Sequence, residues 1–96
     1  MMVLITYDVN TETNEGKKRL RKVAKQCLNY GQRVQNSVFE CLIDPARLKM
    51  VQAALEKIID KEKDSLRYYY LGDDWRKRIE HVGAKAALDL EGLLIT

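Results

Sequence analysis

Residues 33–43 read RVQNSVFECLI, and how they fold decides the topology of the chain. Their β-branched and aromatic members make the stretch β-prone. Yet the polar pair Asn36-Ser37 falls in its middle. Such a pair favours a tight turn, so the stretch is expected to form two short strands in a hairpin. Phe39, Cys41 and Ile43 then share one face of the second strand, and Cys41 is expected in the core.

Upstream, residues 2–9 of the run MVLITYDVN read as a strand buried on both faces, ended by Asn10. The polar loop TETNEG follows. Across residues 17–30, Leu20, Val23, Ala24, Cys27 and Tyr30 recur at helical spacing, which predicts an amphipathic helix. Gly31 is expected to end it in the left-handed conformation. Downstream, Asp44-Pro45 is a helix start: Asp caps free amides, and Pro at the first helical position loses no needed hydrogen bond. Leu48, Val51, Leu55, Ile58 and Ile59 give that helix its apolar face. SLRYYYL at 65–71 reads as a strand, GDDWRKR as a turn and loop, and IEHV as a further strand. LDLEGLLIT ends in the β-prone tetrapeptide LLIT.

The order β-α-β-β-α-β predicts an α+β, ferredoxin-like sandwich, with two helices on one face of an antiparallel sheet. No stretch reads as a linker or a repeat. Residues 1–96 are therefore one domain, with about 81–96 as a C-terminal extension. Tyr68, Tyr70, Phe39 and the apolar tail together exceed what one chain hides, with one sheet face left uncovered. An exposed apolar sheet points to an interface, and a homodimer through the sheet is the simplest arrangement.

No apolar run approaches the roughly 18 residues of a membrane span. The N-terminus shows no secretory signal pattern, so a cytoplasmic protein without membrane association is expected. Cys27 and Cys41 form no CxxC motif, and they are expected to be reduced core thiols. Charge is more informative. Lys17, Lys18, Arg19, Arg21, Lys22, Lys25 and Arg33 lie between Gly16 and Phe39 with no acid among them. The rest of the chain carries ten basic and fourteen acidic residues. On a helix, Lys17, Arg21, Lys25, Lys18 and Lys22 fall on one arc of roughly 140°, with Arg19 apart at the edge of the apolar stripe. Uncompensated like charges at i and i+4 weaken a helix. Such a face suits a phosphate backbone, bound without sequence preference and in a salt-sensitive way.

Asp8 is a bare carboxylate at the end of an apolar strand. A two-fold dimer would duplicate it into two facing carboxylates. Mg²⁺ commonly takes one or two carboxylates, waters and substrate phosphate oxygens, so Mg²⁺ or Mn²⁺ at paired Asp8 residues is the metal expectation. Facing carboxylates repel, so any cleavage should rise with pH.

The segments ITYDV, KKRLRKVAK and YGQRVQNSVFEC, with SLRYYYLG and IEHVGAK further on, resemble the small CRISPR-associated Cas-two family, which accompanies the Cas integrase in spacer acquisition. The resemblance runs through essentially the whole chain. It implies a ferredoxin-like homodimer with Asp8 of each chain at a central cleft, where the family has its metal-binding acid. It places Tyr7 and Phe39 at aromatic motif positions and Ser37 as a hydroxyl close to the cleft. Arg19, Arg21 and Arg33 match basic motif positions. The C-terminal strand, here LLIT, is implied to join the partner subunit's sheet.

Three functions follow. One is a metal-dependent endonuclease or endoribonuclease acting through Asp8. The second is an architectural dimer that binds duplex DNA and bridges integrase subunits, with no role for Asp8. Outside the resemblance stands a module that stacks single-stranded RNA bases on its sheet. QNSVFECL offers that module one Phe and no RGF-like start. His81 has no required partner in sequence, and Trp75 and the tyrosines read as packing.

Overall fold

The structure, a computed structural model, describes residues 1–83. Strand β1 (Met2–Asp8) leads to helix α1 (Asn14–Tyr30), the hairpin β2 (Gln32–Gln35) and β3 (Val38–Leu42), helix α2 (Pro45–Ile58), strand β4 (Ser65–Gly72) and a short 3-10 turn at Trp75–Arg78. The sheet order is β2-β3-β1-β4, and every neighbouring pair is antiparallel. This is the expected ferredoxin-like arrangement, with the Asn36-Ser37 turn where the sequence places it.

Alternation along the strands sorts the core. Val3, Ile5 and Tyr7 of β1, with Phe39, Cys41 and Ile43, face the helices. There they pack with Val23 and Cys27 of α1 and Leu48, Val51 and Leu55 of α2. Both cysteines are free and buried, and burial pushes Cys27 up to about 11 and Cys41 to about 12, so they are inert thiols. The register leaves the other face open: Leu4 lies between Glu40 and Tyr69, Thr6 between Val38 and Arg67, and Asp8 beside Ser65. Strand β1 is thus central but covered on one side within a single chain, not on both. Phe39 and Tyr68 pack on the helix side, and Tyr70 accepts a hydrogen bond from Gln52 of α2 at 3.0 Å. The open face is therefore more polar than the sequence suggests. IEHV forms no strand. LLIT and most of the extension lie outside the described residues.

Helix α1 begins three residues early because Thr13 caps it, its hydroxyl accepting the Gly16 N–H at 3.1 Å. For α2, Asp44 accepts the Arg47 N–H at 2.8 Å, as Asp44-Pro45 predicts. Gly31 departs from expectation. Its backbone is extended, with φ −154°, so handedness does not require glycine. Proximity does: a Cβ there would run into Cys41 Sγ and the Glu40 carbonyl. The end of α1 lies directly on β3.

One buried carboxylate ties the loops together. The Asp64 side chain is fully buried just before β4. It accepts the Asn10 N–H at 2.9 Å, the Asp60 N–H at 2.9 Å, and Arg19 Nε and Nη2 at 2.8 and 3.4 Å. Burial pushes this carboxyl up. The Arg19 guanidinium and the two backbone donors pull it down further, and the net value lies below the ordinary 3.8.

Two outcomes follow. Gly31→Ala should cost about 2 kcal/mol by overpacking two backbones, read by urea unfolding. An unchanged midpoint would mean that β3 yields freely. Asp64 ionises more readily folded than unfolded, so its contribution is complete above about pH 4 and is lost as pH falls through the lowered folded value. Acid titration of stability should therefore be shallower in Asp64→Asn than in the native chain. Equal slopes would place the titrating group elsewhere.

Candidate functional site

The carboxylate of Asp8 is exposed at the end of the central strand, on the side of the sheet that the helices leave open. It accepts no hydrogen bond and makes no ion pair among the described residues. Neighbours on this face are Thr6 on its own strand and Ser65 and Arg67 of β4. The Arg67 guanidinium donates to Tyr69 Oη at 3.2 Å. Further along the face, burial pushes the Glu40 carboxyl up.

Tyr7 and Phe39 lie on the opposite side of the sheet. Their rings stack with centroids 6.0 Å apart, and Phe39 is wholly buried. The Arg33 guanidinium sits 5.1 Å above the Phe39 ring, at the sheet edge instead of on the α1 face. Tyr7 holds the hairpin tip: its hydroxyl donates to the Asn36 carbonyl at 3.2 Å and its N–H to the Ser37 carbonyl at 3.1 Å. Burial and the neighbouring Cys27 push the phenol up, against Arg33 and Ser37, so Tyr7 remains a neutral donor. These residues brace the Asp8 strand end from behind. They do not surround its carboxylate.

The basic residues divide in the same way. Lys17, Lys18, Arg21, Lys22 and Lys25 are all exposed on α1, with open grooves between their side chains. Arg19 is withdrawn from that arc into the ion pair with Asp64. The helical wheel already sets it apart, but its partner lies 45 residues away, and no local spacing links the two. Past β4, Arg76 lies 4.6 Å over the Trp75 ring in a turn that also carries Lys77 and Arg78. His81 is exposed, with no carboxylate partner among the described residues.

No cluster of three His, Cys, Asp or Glu side chains exists among the described residues. The described residues therefore offer a divalent cation the Asp8 carboxylate at the strand end, but no three-residue ligand set. That donor fits Mg²⁺ or Mn²⁺ where a second copy and phosphate oxygens complete the shell.

Comparison with known proteins identifies the family. The family model for CRISPR associated protein Cas2 matches residues 1–79. A CRISPR-associated endoribonuclease Cas2 of Rhodospirillum rubrum is 62% identical over 94 residues, covering 98% of this chain and 99% of its own. A CRISPR-associated endonuclease Cas2 of Halalkalibacterium halodurans is 59% identical over 95 residues, covering 99% of each. The crystal structure of Streptococcus pyogenes Cas2 at pH 6.5 superposes with a TM-score of 0.76 at 59% identity, over 86% of this chain and all of that one. A partial Cas6-RT-Cas1–Cas2 complex includes a chain 29% identical to this one, with a TM-score of 0.66 over 84% and 89% of the two. On both sequence and fold, the chain belongs to the CRISPR-associated Cas2 family.

Proposed function

We propose that two copies of this chain meet through the open sheet face, bind nucleic acid in CRISPR adaptation, and cut phosphodiesters with the help of Asp8 from both. The observation that carries this reading is the exposed Asp8 carboxylate at the end of the central strand, on the face left without helices. A two-fold axis passing close to the end of β1 would bring two copies of Asp8 into one cleft. A bound Mg²⁺ or Mn²⁺ would supply positive charge to the phosphodiester and an activated water. The paired Asp8 carboxylates would hold the ion. Thr6, Ser65 and Arg67 offer polar groups beside it, and the Tyr7 clamp on the hairpin keeps the strand end rigid.

The exposed arc of Lys17, Lys18, Arg21, Lys22 and Lys25 is the phosphate-binding surface in this reading. The integrase is the proposed protein partner, supported by the likeness to the Cas1–Cas2 complex. The two curated relatives are named for an endoribonuclease and an endonuclease, so single-stranded RNA and duplex DNA are both candidate substrates. No helix among the described residues is long and apolar enough to cross a membrane, and we place the protein in the cytoplasm.

One observation favours the architectural alternative. The basic arc and Asp8 lie on opposite sides of the sheet, so a duplex along α1 need not approach the carboxylate. In that case the protein bridges integrase subunits without cutting.

The deciding experiment compares the native chain with Asp8→Ala on labelled RNA and duplex DNA, with Mg²⁺ or Mn²⁺. Loss of cleavage with unchanged dimerisation and duplex binding is expected. If neither protein cuts and both bind alike, the architectural reading stands. A second expectation concerns the arc. Replacing Lys18 and Lys22 by Gln should flatten the dependence of log affinity on log salt by about 2, near 0.9 for each phosphate left without its cation. An unaltered slope would place the duplex elsewhere.

A further inference from the structure

We infer that Asp64 is a positioning residue for Asp8, acting through the backbone on both sides of the strand end; this rests on the reading of Asp8 as a metal ligand. The two carboxylates have opposite surroundings. Asp8 is exposed on the open face, whereas the Asp64 side chain has no solvent exposure and lies toward the helices. They do not touch, and their link is covalent and hydrogen-bonded. Asp8 pairs in register with Ser65, the residue after Asp64. Asn10, two residues after Asp8, donates its N–H to Asp64 Oδ1 at 2.9 Å. Asp64 therefore grips the chain just beyond Asp8 and, through its own peptide, fixes the strand position opposite it.

The remaining contacts keep that grip stationary. Asp64 Oδ2 accepts the Asp60 N–H at 2.9 Å, which folds the α2–β4 loop around the carboxylate. The Arg19 guanidinium forks onto both oxygens from α1, at 2.8 and 3.4 Å. Four donors from three separate segments thus converge on one buried side chain. A buried carboxylate held this way has a single geometry, because every alternative leaves a charge or an N–H unpaired. It also gives Arg19 a role other than phosphate binding. Arg19 is a strut between the helix that bears the basic arc and the loop that fixes Asp8.

An ion shared by two chains is sensitive to such placement. In that reading each chain contributes the Asp8 carboxylate, and the described residues hold no three-residue cluster of His, Cys, Asp or Glu that would take the ion in its place. Loss of groups that orient metal ligands typically weakens binding by about 10–100-fold. Removing Asp64 should act at the lower end of that range, because it orients the peptide and not the carboxylate itself.

The test titrates Mn²⁺ into the native dimer, Asp64→Ala and Asp64→Asn, reading paramagnetic broadening of the Val9 backbone amide by NMR. Val51→Ala, a core truncation in α2, supplies a comparison with lowered stability and an intact clasp. Duplex affinity at fixed salt is measured alongside. Asp64→Ala is expected to raise the Mn²⁺ midpoint about tenfold. Asp64→Asn, which keeps one acceptor oxygen and remains usable if Ala does not fold, should raise it less. Val51→Ala should leave the midpoint in place, and duplex affinity should hold in all four proteins. Equal midpoints in the native chain and the folded Asp64 variants would overturn the inference and leave Asp8 a metal ligand. Val9 unaffected by Mn²⁺ in the native dimer would defeat the metal reading itself, and with it the positioning role.

Discussion

A central strand has two faces, and α1 and α2 cover only one of them. Much of the molecule follows from that constraint. Because side chains alternate along β1, Val3, Ile5 and Tyr7 must enter the helix-covered core if Asp8 is to stay in water. A shift of one residue would bury the carboxylate and expose Tyr7. The register with β3 and β4 is fixed on both sides of β1, and each pairing reinforces the same choice. The Tyr7 clamp on the Asn36-Ser37 turn and the Asp64 clasp on Asn10 hold the strand end from two directions.

Local signals in the sequence reveal local structure well. Asn36-Ser37 marks the hairpin, Asp44-Pro45 starts α2, and the spacing of Leu20, Val23, Ala24 and Cys27 marks α1, because each depends on residues within a turn or two. Burial on both faces of β1 is only half met within one chain, for the opposite reason. An apolar run reports hydrophobicity, but it cannot say whether the second cover is a helix or another copy. Gly31 shows a subtler limit. Its identity points correctly to the end of α1, yet the cause is the nearness of β3 and not a left-handed backbone.

The site is legible in its exposed parts and hidden in its buried ones. Asp8 stands out as an acid closing an apolar strand, and the lysine arc as a helix face without acids. Tyr7 and Phe39 belong to the same motifs but face the core, a distinction that follows from strand alternation once the pairing is known. Asp64 escapes a sequence reading altogether. It sits in DKEKD, a run of alternating charges, and its burial depends on Arg19 and Asn10 reached only by folding. The same gap hides the ion pair that draws Arg19 away from the lysine arc, since a partner 45 residues away leaves no periodic trace.

In the proposed function two chains share one catalytic centre, each supplying Asp8 across the open face of the sheet. The stoichiometry of Mn²⁺ binding, measured by electron paramagnetic resonance on the native protein and on Asp8→Ala, tests it most directly. One ion per two chains, lost in the variant, is the predicted result. One ion per chain, or equal binding by both proteins, would contradict it.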